Sequence, residues 1–395
     1  MTPPSPHETR LSARRDLCRR QIRRRRAVAL TAVAAIVAVA VSASLALAED
    51  ETTHAVARTP PAAKAEPSAG ARARATATVR FAATGDITFG STPNLPPDGG
   101  RSLFAQAAPH LEGDVVLGNL ETALADGSGS GGKCGRGSTN CFAFRAPPSY
   151  AGVLAGAGFT VLNLANNHSY DFGAAGQAQT VAALDRARLL STGRPGEIAV
   201  QKVGSVRVAI VGFAPHTGAQ DLRDLPAART LVRRAVTRAD LVVVTMHAGA
   251  EGRDADHVRR GTEMFLGENR GDVVAFSHAV VDAGADLVVG HGPHVLRAME
   301  WYRGRLIAYS LGNFSAYKNF NITGTGGVSG ILQATLRADG RWVEGELVPM
   351  RLVGDGTPVR DDAEAAHGLV RRLSQQDFGA RGTRVGFDGS LRPSR

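Results

Sequence analysis

Five apolar stretches of this 395-residue chain each end in a cluster of Asp, Asn, Glu or His. Short, β-branched runs of this kind are typical of buried strands. The five stretches are residues 79–83, 114–117, 161–164, 241–246 and 286–289. Ligands bind at the carboxyl ends of strands in α/β sheets, because the loops converge there on a rigid edge. The sequence therefore predicts one functional site assembled from several strand ends.

The rest of the body continues this alternation of strand and helix, which predicts an α/β sandwich with buried sheets. Further strands are expected at 206–213 and 306–310, and a hairpin at 330–336 and 342–349. Helices are expected at 148–157, 174–187, 272–283 and 362–374, followed by a polar tail.

The amino-terminal segment predicts the compartment of the protein. Residues 27–48 are an uncharged apolar run of 22 residues, long enough to span a hydrocarbon core of about 30 Å. Nine Arg precede this run, so the positive-inside rule places residues 1–26 in the cytoplasm and the body outside the membrane. Ala46-Leu47-Ala48 also fits a cleavage site, so both an uncleaved anchor and a signal peptide are compatible with the sequence.

Two cysteines agree with export. Cys134 and Cys141 bracket a Gly- and Ser-rich segment, and in an oxidising compartment we expect them to form a disulfide. A metal site is the alternative, but no second cysteine pair is present to complete a structural zinc site.

The formal charge of +10 is concentrated at the amino terminus, since residues 1–26 carry a net +7. The body is close to neutral and predicts no nucleic-acid partner. Motifs of serine hydrolases, phosphate-binding loops and dinucleotide-binding folds are also missing from the sequence.

The strand-end clusters offer carboxylate, amide and imidazole groups but no thiol. This donor set suits one or two divalent ions of Mn, Fe or Zn. The candidate residues are Asp86, Asn119, Glu121, Asn167, His168, Asp171, His247, Glu251, His291 and His294. Five other histidines lie in contexts that predict structural or exposed roles: His110, His216, His257, His278 and His367.

Over about residues 79–318 these clusters resemble the CapA family of capsule and poly-γ-glutamate synthesis proteins, which are related to calcineurin-like metallophosphoesterases. The motifs that carry the resemblance are Gly-Asp86, Gly-Asn119-Leu-Glu121, Asn-Asn167-His168, His247-Ala-Gly-Ala-Glu251, Gly-His291-Gly-Pro-His294 and Leu-Gly-Asn313-Phe. The resemblance implies a metallophosphatase-like four-layer αββα sandwich, preceded by one transmembrane helix or signal sequence.

The resemblance also implies roles for individual residues. The metal ligands would be Asp86, Glu121, Asn167, His247, His291 and His294. His168 would act as a general acid that Asp171 orients, and Asn119, Glu251 and Asn313 would bind substrate. One departure concerns the first motif, where Thr88 stands at a position that phosphoesterases usually give to His.

The resulting division of the chain has five parts. They are a basic cytoplasmic segment (1–26), an anchor or signal peptide (27–48), a flexible linker (49–76), the CapA-type domain (77–320) and C-terminal strands and helix that complete the domain and end in a polar tail (321–395).

The functional expectation is an extracytoplasmic, metal-dependent protein that helps to synthesise or export an anionic surface polymer such as poly-γ-glutamate. Its partners would be that polymer, the membrane and membrane-bound polymer-synthase or export components. A stand-alone phosphoesterase at the cell surface and a non-catalytic, metal-containing polymer-binding module are the two alternatives.

Overall fold

The computed structural model describes residues 76–127, 133–134 and 141–394. The predicted cytoplasmic segment, the apolar run 27–48 and almost all of the predicted linker lie outside the described residues. Within the described part of the chain, every helix is too short or too polar to cross a bilayer.

The described residues form twenty strands, most of them in two large sheets. In chain order they are β1 (Thr78–Thr88), β2 (Val115–Leu120), β3 (Ala123–Leu124), β4 (Arg145–Ala146), β5 (Val161–Asn163), β6 (Leu190–Thr192), β7 (Ala199–Val203), β8 (Val206–Phe213), β9 (Leu241–His247), β10 (Met264–Phe265), β11 (Glu268–Asn269), β12 (Leu287–His291), β13 (Met299–Tyr302), β14 (Arg305–Ala308), β15 (Asn313–Ala316), β16 (Val328–Arg337), β17 (Trp342–Val353), β18 (Thr357–Arg360), β19 (Thr383–Val385) and β20 (Leu391–Pro393).

The first sheet has eight strands in the order β18-β17-β16-β1-β2-β5-β6, with β15 also paired to β1. Strand β1 changes partner along its length. Its first half pairs antiparallel with β16, and from Asp86 onward it pairs parallel with β15. The pairing register of β1 shifts next to Asp86, so the strand bends at this residue.

The second sheet has six strands in the order β13-β14-β12-β9-β8-β7. Strands β8, β9, β12 and β14 run parallel to one another. All residues of β9 and β12 are buried, as expected for central parallel strands with both faces covered.

Within the described residues, five α-helices accompany the strands: α1 (Tyr150–Ala157), α2 (Gly173–Arg186), α3 (Leu225–Val236), α4 (Val273–Asp282) and α5 (Ala365–Phe378). Helices α3 and α4 both begin at an Asp whose side chain accepts a backbone N–H of the first turn, Asp224 from Ala227 and Asp272 from Ala275. Such caps satisfy amide groups that the helix leaves without a partner.

Alternate residues of β1 enter two different cores. Phe81 and Ala83 belong to the larger core, together with β8, β9 and β12 of the second sheet. Ala82 and Ile87 belong to the smaller core, with side chains from α1 and α2. The first sheet is therefore covered by helices on one face and by the second sheet on the other, which makes the fold a mixed α/β sandwich.

The carboxyl-terminal region differs from the expected polar tail. Residues after α5 form the β19–β20 hairpin, in which Val385 and Leu391 are buried. These two side chains alternate with exposed ones, so the hairpin covers the core although its composition is mostly polar. The two longest C-terminal strands, β16 and β17, also extend the first sheet directly from β1.

Candidate functional site

A row of four polar residues crosses the first sheet, near the carboxyl ends of β1, β2 and β5 and at the first residue of β15. Asn313 of β15 pairs with Asp86 of β1, Asp86 with Asn119 of β2, and Asn119 with Asn163 of β5. Because all four strands are parallel here, their ends bring these side chains to one edge.

The second sheet contributes two imidazoles in the same manner. His247 ends β9 and His291 ends β12, and the two residues are direct neighbours in the pairing of these strands. A tight turn then follows, with positive φ at Gly292 and at His294. The backbone N–H of Gly292 donates to Oδ2 of Asp86 over 3.2 Å, which joins the turn to the first sheet.

These residues converge on one buried cluster. The Nδ1 atom of His294 lies 3.1 Å from Oδ2 of Asp86, and Nδ1 of His291 lies 3.9 Å from Oδ1. The Nε2 atoms of His247 and His294 lie 3.7 and 3.8 Å from Oε1 of Glu121. One ligand atom each from Asp86, Glu121 and His294 fits within a common span of 4.8 Å.

Several polar atoms in the cluster are buried and have no hydrogen-bond partner among the described residues. They are both carboxylate oxygens of Glu121, Nε2 of His247 and Nδ1 of His291, and in the pocket wall Oδ1 of Asn167 is likewise buried without a partner among these residues. Buried polar groups are almost always paired, because each unpaired one costs free energy. Carboxylate and imidazole groups left without partners in one cluster are donors expected for a divalent metal.

The electrostatics of the cluster also favour a cation. Burial raises the pKa of Glu121 well above its usual range. Burial acts in the same direction on Asp86, but hydrogen bonds from His247 and His294 outweigh it and hold its pKa well below the usual range. Burial lowers the pKa of His294, but Glu121 and Asp86 outweigh burial and raise that pKa to about 10. The two carboxyl groups thus favour positive charge between them.

His168 stands beside the cluster and is held by Asp171. Its Nδ1 atom hydrogen bonds with Oδ2 of Asp171 over 2.8 Å, and its Nε2 lies 3.9 Å from Oε1 of Glu121. Burial lowers the pKa of His168 to about 4, although Asp171 acts in the opposite direction. The imidazole is therefore neutral near pH 7 and directs Nε2 toward Glu121.

A pocket of about 850 Å³ gives access to this region. Its wall includes Asn167, His168 and His294 next to the cluster. The charged side chains of the wall are Lys133, Glu251, Glu268 and Arg270, and its aromatic side chains are Phe142, Phe144, Tyr170, Phe265 and Phe320. The ring of Phe320 stacks on His294 with the ring centres 4.1 Å apart.

The structure places two of the predicted substrate-binding residues differently. Asn119 and Asn313 are at most 1% exposed and do not line the pocket. Asn119 donates to Asp86, and Asn313 hydrogen bonds with Nδ1 of His294 over 3.0 Å. Both amides thus hydrogen bond with predicted metal ligands, and their predicted contact with substrate stays a prediction. Glu251 does line the pocket, where it forms an ion pair of 2.6 Å with Arg270.

Thr88, the residue at which the first motif departs from the phosphoesterase pattern, makes a contact within the first sheet. It is buried, and its hydroxyl donates to the carbonyl of Ser315 in β15 over 3.2 Å. Its role in the structure is to join two strands.

Three further residues near the site were not singled out by the sequence. Lys133 and Arg270 line the pocket, and His216, which was assigned a structural or exposed role, lines it as well. The ring of His216 lies 6.1 Å from that of His247, and its Nε2 is buried with no hydrogen-bond partner in the described part of the chain. His216 follows β8, a parallel strand whose end could have suggested it.

Cys134 and Cys141 form a disulfide with Cα atoms 5.5 Å apart. Cys141 lies in the pocket wall, and Phe142 beside it is 63% exposed.

Together, the fold and the cluster define a class: an α/β sandwich protein with a buried carboxylate and imidazole centre between two sheets. A family model described as "Bacterial capsule synthesis protein PGA_cap" matches residues 80–318, which is more than half of the chain. The chain belongs to this family, and the resemblance seen in the sequence is confirmed.

Two curated relatives carry related names. The capsule biosynthesis protein CapA of Bacillus anthracis is 35% identical over 223 residues, covering 51% of this chain and 50% of the relative. The PGA biosynthesis protein CapA of Bacillus subtilis is 32% identical over 241 residues, covering 56% of this chain and 59% of the relative. The match thus spans between half and three fifths of each relative.

Solved structures show a weaker likeness. NAD nucleotidase of Haemophilus influenzae is 9% identical with a TM-score of 0.37, covering 77% of this chain and 56% of that chain. A purple acid phosphatase from yellow lupin seeds is also 9% identical, with a TM-score of 0.36 and coverage of 73% and 55%. At these values the likeness supports no inference about the site.

Proposed function

We propose that this chain is a metal-dependent, extracytoplasmic protein that acts in the synthesis or export of an anionic surface polymer such as poly-γ-glutamate. Its membership of the capsule synthesis family supports the polymer context. One observation carries the metal dependence: buried atoms of Glu121, His247 and His291 surround Asp86 and lack partners among the described residues. We further propose that the sandwich is of the metallophosphatase-like, four-layer type.

The residues present fit a divalent metal. Asp86, Glu121 and His294 would hold it, and His247, His291 and Asn167 would complete its surroundings or hold a second ion. Burial lowers the pKa of both His247 and His291, so these imidazoles are in the neutral form that metals bind. A bound divalent ion would act as a Lewis acid toward a carboxyl, amide or phosphoryl oxygen of the substrate.

The chain's own side chains would bind the polymer and move a proton. Lys133 and Arg270 lie in the pocket wall beside Glu251 and Glu268, so the wall carries no net positive charge, and these two cations would instead contact individual carboxylates of an anionic substrate. Asp171 fixes the ring of His168 through Nδ1, which leaves Nε2 free to exchange a proton with a reacting group. The aromatic side chains of the wall would limit the access of water to that proton.

An extracytoplasmic position is part of the proposal. Nine Arg before the apolar run 27–48 favour a cytoplasmic amino terminus and an exported body. The Cys134–Cys141 disulfide supports this, since disulfides persist mainly in oxidising compartments. The membrane and membrane-bound polymer-synthase or export components would then be partners.

A stand-alone phosphoesterase is the second candidate. Its support is the position of His168, whose Nε2 lies 3.9 Å from a carboxylate oxygen of the cluster while Asp171 holds its other nitrogen. This arrangement suits protonation of a leaving oxygen beside an electrophilic centre once Nε2, which is unprotonated in the neutral imidazole, has taken up a proton.

The test uses the full-length chain, purified, stripped of metal and reloaded with Mn, Fe or Zn in turn. Each form is assayed on poly-γ-glutamate, followed by chain length, and on bis(p-nitrophenyl) phosphate. Metal-dependent change of the polymer supports the proposal, and turnover of the phosphodiester alone supports the second candidate. Metal binding with polymer retention but without turnover supports the binding module. Failure to bind any of the metals contradicts the proposed metal dependence.

A further inference from the structure

Two residues that flank the disulfide-bracketed segment, one on each side, contact residues of the site. Lys133 immediately precedes Cys134, and Phe144 follows Cys141 by three positions. Both residues contact the His168–Asp171 pair, although neither belongs to the metal cluster.

Lys133 holds one side of Asp171. Its Nζ lies 3.0 Å from Oδ1 of Asp171 and donates to the backbone carbonyl of Asn167 over 2.8 Å. The Asp171 side chain is fully buried, whereas that of Lys133 is 34% exposed. A buried carboxylate without a cationic partner is strongly destabilised, and Lys133 supplies such a partner for Asp171.

Phe144 holds the other side. Its backbone N–H donates to Oδ2 of Asp171 over 2.7 Å, and this oxygen also bonds Nδ1 of His168. The Phe144 ring stacks on the imidazole of His168, with ring centres 4.0 Å apart and planes 18° from parallel. The Phe144 ring and the Asp171 carboxylate together hold the imidazole of His168 in one orientation.

We propose that Lys133, kept in place by the Cys134–Cys141 disulfide, is a positioning residue for His168 and balances the charge of Asp171 in the pocket. The disulfide joins the segment that contains Lys133 to the segment that contains Phe144, and both residues contact Asp171. Reduction of the disulfide would therefore release Lys133 from that carboxylate. The inference rests on the proposed function for its effect on turnover, but its effect on the His168–Asp171 hydrogen bond is independent of any substrate.

The test compares Lys133→Met and Lys133→Arg in the full-length, metal-loaded chain, with Lys202→Met as the matched control. Lys202 is an exposed lysine in β7 of the second sheet. The first readout is the Nδ1–H resonance of His168 in histidine-labelled protein, assigned by its loss in His168→Gln. The second is kcat and KM for bis(p-nitrophenyl) phosphate.

We expect Lys133→Met to shift or broaden the His168 resonance and to lower kcat by about 10- to 100-fold, the usual cost of losing an orienting partner. Lys133→Arg restores most of both values because it restores the charge. Reduction of the wild-type disulfide, verified by mass spectrometry, has the same effect as Lys133→Met, and Lys202→Met has none.

A wild-type His168 resonance in Lys133→Met overturns the inference. If that variant fails to fold, the reduced wild-type chain decides, and an unchanged resonance after complete reduction overturns it as well. Loss of the resonance in a chain that turns over neither substrate contradicts the proposed catalysis but supports the role of Lys133.

Discussion

Asn119 donates a hydrogen bond from Nδ2 to Oδ1 of Asp86 across 2.7 Å, between adjacent strands of the first sheet. The same Nδ2 lies 3.1 Å from Nδ1 of His247 in the second sheet. Its carbonyl oxygen accepts from Asn163 and Asn166. One buried amide therefore links predicted ligands from both sheets.

Replacing this amide weakens metal binding. In Asn119→Ala, Asp86 and His247 each lose a partner, and two further amides lose one of their two acceptors. We expect metal affinity to fall by about 10- to 100-fold and the free energy of unfolding to fall by about 1–3 kcal/mol. Metal titration and denaturant unfolding measure the two effects, with the exposed Asn321→Ala as control. Unchanged metal affinity would show that Asn119 does not orient the ligands.

Removal of metal lowers the stability of the folded chain. Without a cation, the carboxyl groups of Asp86 and Glu121 lie buried next to each other within the same cluster. A metal present at 100 times its dissociation constant contributes about 2.7 kcal/mol, so chelation lowers the melting temperature. Calorimetry with and without EDTA, followed by re-addition of Mn or Zn, measures this shift. A melting temperature that does not respond to either step argues against a metal in this cluster.

Gly290, which precedes His291 in β12, lies in close contact with the backbone of a neighbouring segment. A Cβ atom on Gly290 would collide with the backbone of Tyr309 in the neighbouring chain segment. We expect Gly290→Ala to reduce the free energy of unfolding by about 1–3 kcal/mol through overpacking. Gly152→Ala in α1 is the matched control, because nothing lies within 4 Å of its added Cβ. That control should stabilise the chain by up to about 1 kcal/mol. Equal stabilities for the two variants, measured by urea unfolding, would contradict the packing argument.

The central strands could be predicted from the sequence because their apolar runs are continuous. Strand β8 covers the expected residues 206–213, and β9 and β12 end at the expected histidines. Edge strand β7 was missed because only alternate side chains face the core, and the intervening ones are exposed or half-buried. The β19–β20 hairpin was missed for a similar reason, since Val385 and Leu391 are isolated apolar residues in a polar segment.

The convergence of the site was also predictable, because parallel strand ends share one edge. The roles within it were not. Whether Asn119 and Asn313 face the pocket or the cluster depends on the register across β1, β2 and β15, which the sequence does not state. Lys133 was missed because it contacts Asp171, a residue far from it in the sequence, and nothing in the sequence around Lys133 indicates that contact.

His168 and the adjacent Asn167 have separable roles in the proposed mechanism. We expect His168→Ala to keep its metal content and to lower turnover by about 10²- to 10⁴-fold, the usual contribution of general acid–base catalysis. Asn167→Ala should instead reduce metal occupancy, since its buried Oδ1 has no partner within the described part of the chain. Metal analysis and turnover are measured on the same preparations.

Two results would revise these roles. Loss of metal from His168→Ala would make this histidine a ligand. Full turnover of the true substrate by the same variant would exclude His168 from the chemistry and favour a binding module.

The central claim, that the buried cluster binds a divalent metal, is tested most directly by the metal content of Glu121→Gln. Glu121 is fully buried and both of its carboxylate oxygens lack partners among the described residues, so the amide removes a ligand charge with little change in shape. The matched control is Glu344→Gln, an exposed position in β17. We expect stoichiometric metal in the wild type and the control, and substoichiometric metal in Glu121→Gln at the same free-metal concentration. Equal metal content in all three proteins, or none in the wild type, would contradict the account.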